Sequence, residues 1–257
     1  MKHFWGLTSN CFWVGFISLL GASFLFATHI RAADTFDHAL FGDLLAKHVK
    51  NGFVDYAGFK ADQAELDQYL SSLEKIDPET LSRNEQFAFY INAYNAWTIH
   101  LILTGYPGLK SIKDLGSILQ SPWKKEIVHL NGKTLTLDDI EQGILRPRFK
   151  DPRVHFAINC ASKSCPPLIS EPYRGATLDA QLDQVTRAFV NAPGNYRLDG
   201  DTLWVSSIFK WYSADFNDDP VGFYRKYADA GLRKALDERG TRLKVKFLDY
   251  DWSLNGA

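Results

Sequence analysis

The sequence predicts an α+β fold, and three observations carry that expectation. Helical spacing dominates the N-terminal half, strand-and-turn patterns gather after residue 126, and one segment, EQFAFYINAYNAWTIHLILT, has no formal charge from Gln86 to Thr104. Helices and strands that segregate along a chain favour α+β over an alternating, doubly wound sheet. A helix that is apolar on every side is buried. The expected architecture is therefore a single domain with this helix at its centre, packed on an antiparallel or mixed sheet.

The elements follow in order. Residues 1–33, MKHFWGLTSNCFWVGFISLLGASFLFATHIRAA, have a basic start at Lys2 and His3, an uncharged run from Cys11 to Thr28, and small residues at Ala32 and Ala33. This is the order of a secretory signal peptide, with cleavage near Ala32. An uncleaved anchor is the competing reading, because an uncharged run of this length approaches the ~20 residues that span a bilayer. Either way, residues 34–257 are expected outside the cytoplasm as one globular domain, periplasmic or secreted, with membrane contact only through an uncleaved anchor.

From Thr35 to Tyr69 the spacing is helical, broken at NGFVDYAGF. Pro78 and SRNEQ lead into the apolar helix, residues 83–104, where Ala88, Asn92, Asn95 and Ile99 share one face at ~100° per residue. Gln86, Asn92, Asn95 and His100 make a membrane span costly. Once buried, the two asparagines must find hydrogen-bond partners or lose about 1–3 kcal/mol each. They do so either by tying neighbouring loops and strand ends or by lining a polar site. EIVHLNGKTLTL alternates around Asn131-Gly132, a type I′ hairpin signal, and NYRLDGDTLWVS repeats the pattern around Asp199-Gly200. Between the hairpins lie a short helix, LDDIEQGIL, an apolar strand, RVHFAIN, and an amphipathic helix with Leu178, Leu182, Val185 and Phe189 on one face. A helix from about Val221 to Glu238 and a strand within LKVKFLDYDWSL close the chain.

Without Lys2 and Arg31, the 29 basic residues fall to 27 against 30 acidic ones, a net charge near −3. No basic block is present, which argues against nucleic acid as a partner. Aromatic residues make up 14% and are dispersed, as in a folded rather than a disordered chain. No internal repeat or low-complexity tract interrupts it.

The stretch HFAINCASKSCPPL, residues 155–168, concentrates the chemistry. Pro166 and Pro167 cannot continue a strand, so Asn159 and Cys160 sit where a strand ends and a loop begins, a common place for reactive groups. In a regular strand His155 and Cys160 point to opposite faces about 16 Å apart. A direct dyad therefore requires the loop to double back. Four readings of the cysteines stand, with inert thiols as the remainder: a Cys160–Cys165 disulfide, favoured by an oxidising compartment; a Cys160 thiolate nucleophile; a redox pair; and a metal corner, the weakest. A metal corner lacks a second pair of ligands at suitable spacing, and no cofactor is expected. The base for a nucleophile would be His155, His129 or His100, with Glu141 orienting His155 or pairing with Arg146.

These residues resemble a known family. NEQFAFYINAYNAW, LTLDDIEQGILRP, DPRVHFAINCASKSCPPL and SSIFKWYSADF, spanning about Phe53 to Phe216, are similar to the domain of unknown function 547 family. The resemblance marks Asn92, Tyr94, Asn95, Glu141, His155, Cys160, Lys210, Trp211 and Asp215 as motif positions. Many relatives have histidine where this chain has Gln142, and plant relatives often lack a cysteine at the position of Cys165. The order of a buried helix followed by a histidine-bearing strand is also similar to a papain or transglutaminase-like layout, although that helix carries no cysteine here. The resulting expectation is a thiol-dependent enzyme of the hydrolase or acyl-transfer type. Cys160 is its nucleophile, His155 or His129 its base, and Asn92, Asn95 and Asn159 orient the base or donate to an oxyanion. Arg146, Lys210 and Asp215 bind substrate. The alternative is a non-catalytic module that binds peptides or glutathione-like thiols, stapled by Cys160–Cys165.

Overall fold

In the structure, a computed structural model describing residues 35–256, the chain enters through α1 (Ala39–His48), whose Phe41, Leu44, Leu45 and His48 turn inward. The expected signal peptide lies outside the described residues. A two-residue hairpin, β1 (Val49–Lys50) and β2 (Phe53–Val54), accounts for the expected break. It turns through Asn51 and Gly52, both at positive φ. Asp55 then caps α2 (Tyr56–Ala61) by accepting from the Gly58 amide, and α3 (Gln63–Glu74) follows.

Ser82 caps α4 (Arg83–Leu103), the apolar helix, through the Glu85 amide. Eighteen of its 21 residues are buried, which makes it the centre of the core. It is flanked by α2, α3 and a π-helix, Asp139–Phe149. Its neighbours are thus mostly helices and turns rather than the face of a sheet. No described helix is long and apolar enough to cross a membrane.

Both expected hairpins form. β3 (Val128–Leu130) pairs with β4 (Lys133–Leu135) around Asn131 and Gly132, and β5 (Tyr196–Asp199) with β6 (Thr202–Val205). β7 (Lys244–Phe247) adds to β6 in parallel, giving the order β5-β6-β7 with the closing strand at an edge. Among the described residues the strands form three separate small sheets. α5 (Leu178–Asn191) is the expected amphipathic helix. After a short α6 (Ile208–Trp211), the helix expected over 221–238 is two, α7 (Pro220–Tyr227) and α8 (Ala230–Arg239). Asp229 separates them, because its carboxylate accepts from the Leu232 amide at 2.8 Å and caps a new start. The whole is the α+β arrangement that the sequence predicts.

One expectation is overturned where it matters most. Residues Val154–Asn159 are not a strand. Pro152–Phe156 is a 3₁₀ turn, capped by Asp151, which accepts from the Arg153 amide at 2.9 Å. The Asp-Pro pair is a helix-start signal that the apolar run behind it disguised. Ala157 and Ile158 then bond back to the Val154 carbonyl, and Ala161 takes a left-handed φ of 60°. The chain doubles back there and returns Cys165 to the Cys160 amide.

Candidate functional site

The two asparagines of α4 build the site's frame. Asn95 Nδ2 donates to the Ala157 carbonyl at 3.0 Å, and its Oδ1 accepts from the Asn159 amide at 2.8 Å. Three residues away in sequence, Asn92 treats Tyr173 the same way, at 2.8 and 2.9 Å. Each carboxamide thus supplies the donor and acceptor that a neighbouring strand would have given to an irregular segment. Asn159 is committed too: its amide group donates to the Pro166 carbonyl and its oxygen accepts from the Ala161 amide. All three expected substrate or oxyanion ligands are therefore engaged by backbone, Asn159 also by the Asn255 side chain, and none lines the cavity described next.

That cavity, of about 200 Å³, is lined by Glu141, His155, Cys160 and Cys165 and walled by aromatic rings including Tyr94, Trp211, Tyr212 and Tyr250. The doubled-back loop places Cys165 Sγ 2.8 Å from the Cys160 amide. Both cysteines are free thiols, so the expected disulfide is not present in the structure. Cys160 is half-buried, with its sulfur 3.2 Å from Ser162 Oγ and 3.3 Å from the Tyr250 hydroxyl. Burial pushes its thiol up, but the Cys165 thiol, Ser162 and Tyr250 more than offset this and bring it to about 7. Cys165, buried and donating toward its neighbour, is held well above the ordinary thiol range.

His155 is buried on the same wall, stacked 4.0 Å from Tyr212. Its Nε2 lies 2.7 Å from Asp215 Oδ2, and Asp215 also receives Arg146 Nε at 2.6 Å and Nη2 at 3.0 Å. The His155 hydrogen bond, joined by Arg146, holds the Asp215 carboxyl well below the usual carboxylate range. An ionised Asp215 only accepts, so Nε2 carries the proton and Nδ1 is left as the basic nitrogen. The orienting carboxylate is therefore Asp215, not Glu141, and neither it nor Arg146 is free to hold substrate. Arg146 is spent on Asp215 and Gln142 and lies over the Tyr212 ring. Glu141 instead faces the cavity, tied at one oxygen to the Tyr94 hydroxyl at 3.2 Å.

Two other expected residues lie elsewhere. His129, on β3, lines a separate cavity with Trp97, His100 and Asp67, so neither His129 nor His100 reaches Cys160. Lys210 is exposed, with Nζ 6.0 Å from the Phe247 ring. The aromatic wall escaped sequence reading, apart from the motif residues Tyr94 and Trp211. Its members come from distant segments, and only the density of rings in FKWY and LDYDW hinted at it.

The Asp215 bridge carries a pH signature. Asp215→Asn is expected to cost about 2 kcal/mol of stability at neutral pH, since it removes charged hydrogen bonds to two partners. The folded value is depressed, so the contribution is complete above the unfolded value of ~3.9 and is lost as pH falls through the native one. Urea midpoints of the two proteins should converge on acidification. A gap that stayed constant down to about pH 2 would assign the loss to packing instead.

Among the described residues no group of His, Cys, Asp or Glu side chains is arranged to hold a metal ion. No curated protein and no solved structure matches the chain. A family does match, over residues 78–190, a stretch that includes Asn92, Asn95, Glu141, His155, Cys160 and Cys165 and stops short of Lys210 and Asp215. With its buried helix and doubled-back loop, that stretch is similar to the family described as "Protein of unknown function, DUF547".

Proposed function

We propose that this protein is an extracytoplasmic thiol enzyme of the hydrolase or acyl-transfer type, acting on peptide-like or thioester carbonyls. The observation that supports it best is a half-buried sulfur, drawn to about 7, opening onto the same cavity as an imidazole fixed by a carboxylate. Cys160 passes its thiol proton to Nδ1 of His155, and the thiolate adds to the carbonyl carbon while the oxygen takes up the π electrons. The intermediate collapses to a Cys160 thioester as the leaving group departs with a proton from His155. Water or another nucleophile then gives its proton to His155, adds to the thioester and expels the thiolate. Asp215 and Arg146 hold the ring through this cycle as positioning residues.

Alkylation of the protein with iodoacetamide tests the reading. Carbamidomethylation is expected at Cys160, with a pH midpoint near 7, while Cys165 stays protected and Cys160→Ser abolishes modification within residues 155–168. A Cys160 that does not react at neutral pH overturns it. The alternative, a binding module stapled by a Cys160–Cys165 bond, predicts that intact mass rises by two hydrogens on reduction and that alkylation follows only then.

A further inference from the structure

The cavity has a charge character that the thiol chemistry does not use. Its lining includes two carboxyl groups, Asp138 and Glu141, and no lysine or arginine. Glu141 is only 5% exposed; Oε2 is held by Tyr94, and Oε1 has no donor in hydrogen-bond geometry, the nearby Tyr212 hydroxyl stabilising the carboxylate without closing a bond to that oxygen. A buried carboxyl oxygen without a donor is costly and calls for an explanation. The cations nearest in sequence do not supply one, because Arg146 and His155 both donate to Asp215.

The same cavity is lined by tilted and edge-on rings. Tyr250 lies 4.8 Å from Trp211 and 4.5 Å from Trp252, and Trp252 lies 5.8 Å from Trp123. All four line the cavity. The cluster already holds one ammonium group: Lys113 Nζ sits 3.7 Å from the Trp252 ring centre. Arg146 likewise lies over Tyr212, so among the described residues the lining rings without a protein cation include Trp123, Trp211 and Tyr250.

We propose that this cavity binds an alkylammonium group of the substrate, a lysine-type side chain or a simple primary amine, between the Trp211–Tyr250–Trp252 rings and the unpartnered oxygen of Glu141. The rings attract the cation through their π faces, and Glu141 accepts the N–H that it otherwise lacks. Anionic substrates meet two carboxyls and no counter-charge. The inference rests on the proposed thiol chemistry only for calling the ligand a substrate; the binding itself does not require it. Burial, which pushes the Glu141 carboxyl up against the pull of Tyr212, His155 and Tyr94, would be relieved by such a counter-ion.

Tryptophan fluorescence of the full chain, titrated with n-butylammonium, 1-butanol and butyrate, tests the proposal. Butylammonium is expected to saturate roughly tenfold or more tighter than butanol, with butyrate showing no saturation. Glu141→Gln should abolish that preference while leaving butanol unchanged. Trp211→Leu, at a half-exposed position, should weaken butylammonium even if the Glu141 variant misfolds. Nα-acetyl-lysine-N-methylamide, as a further arm, separates the sources: tighter binding than butylammonium assigns a peptide-borne lysine, equal binding a free amine. The amine titration reads tryptophan fluorescence and the alkylation reads Cys160 mass, so a failed alkylation experiment and a failed amine titration remain distinct results. Equal affinity for butanol and butylammonium, or a preference that survives Glu141→Gln, overturns the proposal.

Discussion

Replacing Asn95 with alanine should lower the unfolding free energy by roughly 2–6 kcal/mol, a loss that its counterpart Asn92 should match. The reasoning is local. Asn95 satisfies two buried backbone groups, the Ala157 carbonyl and the Asn159 amide, in a segment with no strand beside it. Truncation leaves both without partners inside the core, at ~1–3 kcal/mol each. One turn along the same helix, Thr98 gives the contrast: it is equally buried, but its hydroxyl has no partner. Thr98→Val should therefore be neutral or mildly stabilising. Urea unfolding of the two variants checks both statements. A loss below about 1 kcal/mol for Asn95→Ala would mean that water or a shifted loop re-satisfies those groups. The same variant should also disturb the thiol, because the amide that Asn95 holds belongs to the residue before Cys160.

What the sequence could reveal of this fold divides along physical lines. Local signals were legible: the asparagine-glycine and aspartate-glycine turns fix their hairpins, the serine cap fixes the start of α4, and its all-round apolarity fixes its burial. The segment after Asp151 was misread because apolar composition suits a buried 3₁₀ turn as well as a strand, and the decision lay in the Asp-Pro cap. The buried asparagines announced that they needed partners but not which, since Tyr173 and Ala157 are brought to them only by the fold. The exchange of roles between Glu141 and Asp215 was beyond sequence reasoning. Arg146 lies five residues from Glu141, yet the π-helix and the turn before α7 deliver it to a carboxylate 69 residues away. Choice between partners of equal chemistry is a property of packing, and so is an aromatic wall gathered from the Pro122 turn, α6 and the C-terminal segment.

Tyr250→Phe should move the pH midpoint of Cys160 alkylation from near 7 toward the ordinary thiol value of ~8.5, slowing the reaction at pH 7 about tenfold. Burial, with the neighbouring thiols, holds the Tyr250 hydroxyl well above the usual phenol range, so it keeps its proton and donates to the sulfur. Phenylalanine fills the same space without that donor. The thiolate then loses one of the hydrogen bonds that offset its desolvation, while Ser162 and Cys165 remain. The rate at high pH separates this cause from a steric one. Once the thiol is fully ionised, parent and variant should alkylate at similar rates, since a thiolate of higher pKa is if anything slightly more nucleophilic. A parallel fall at every pH would show that the ring positions the sulfur without tuning it, and an unchanged profile would leave Cys165 and Ser162 to hold the charge. Cys165→Ala completes the comparison: its thiol is the strongest of the opposing hydrogen-bond contributions, so its removal should raise the midpoint at least as far as the loss of the tyrosine hydroxyl.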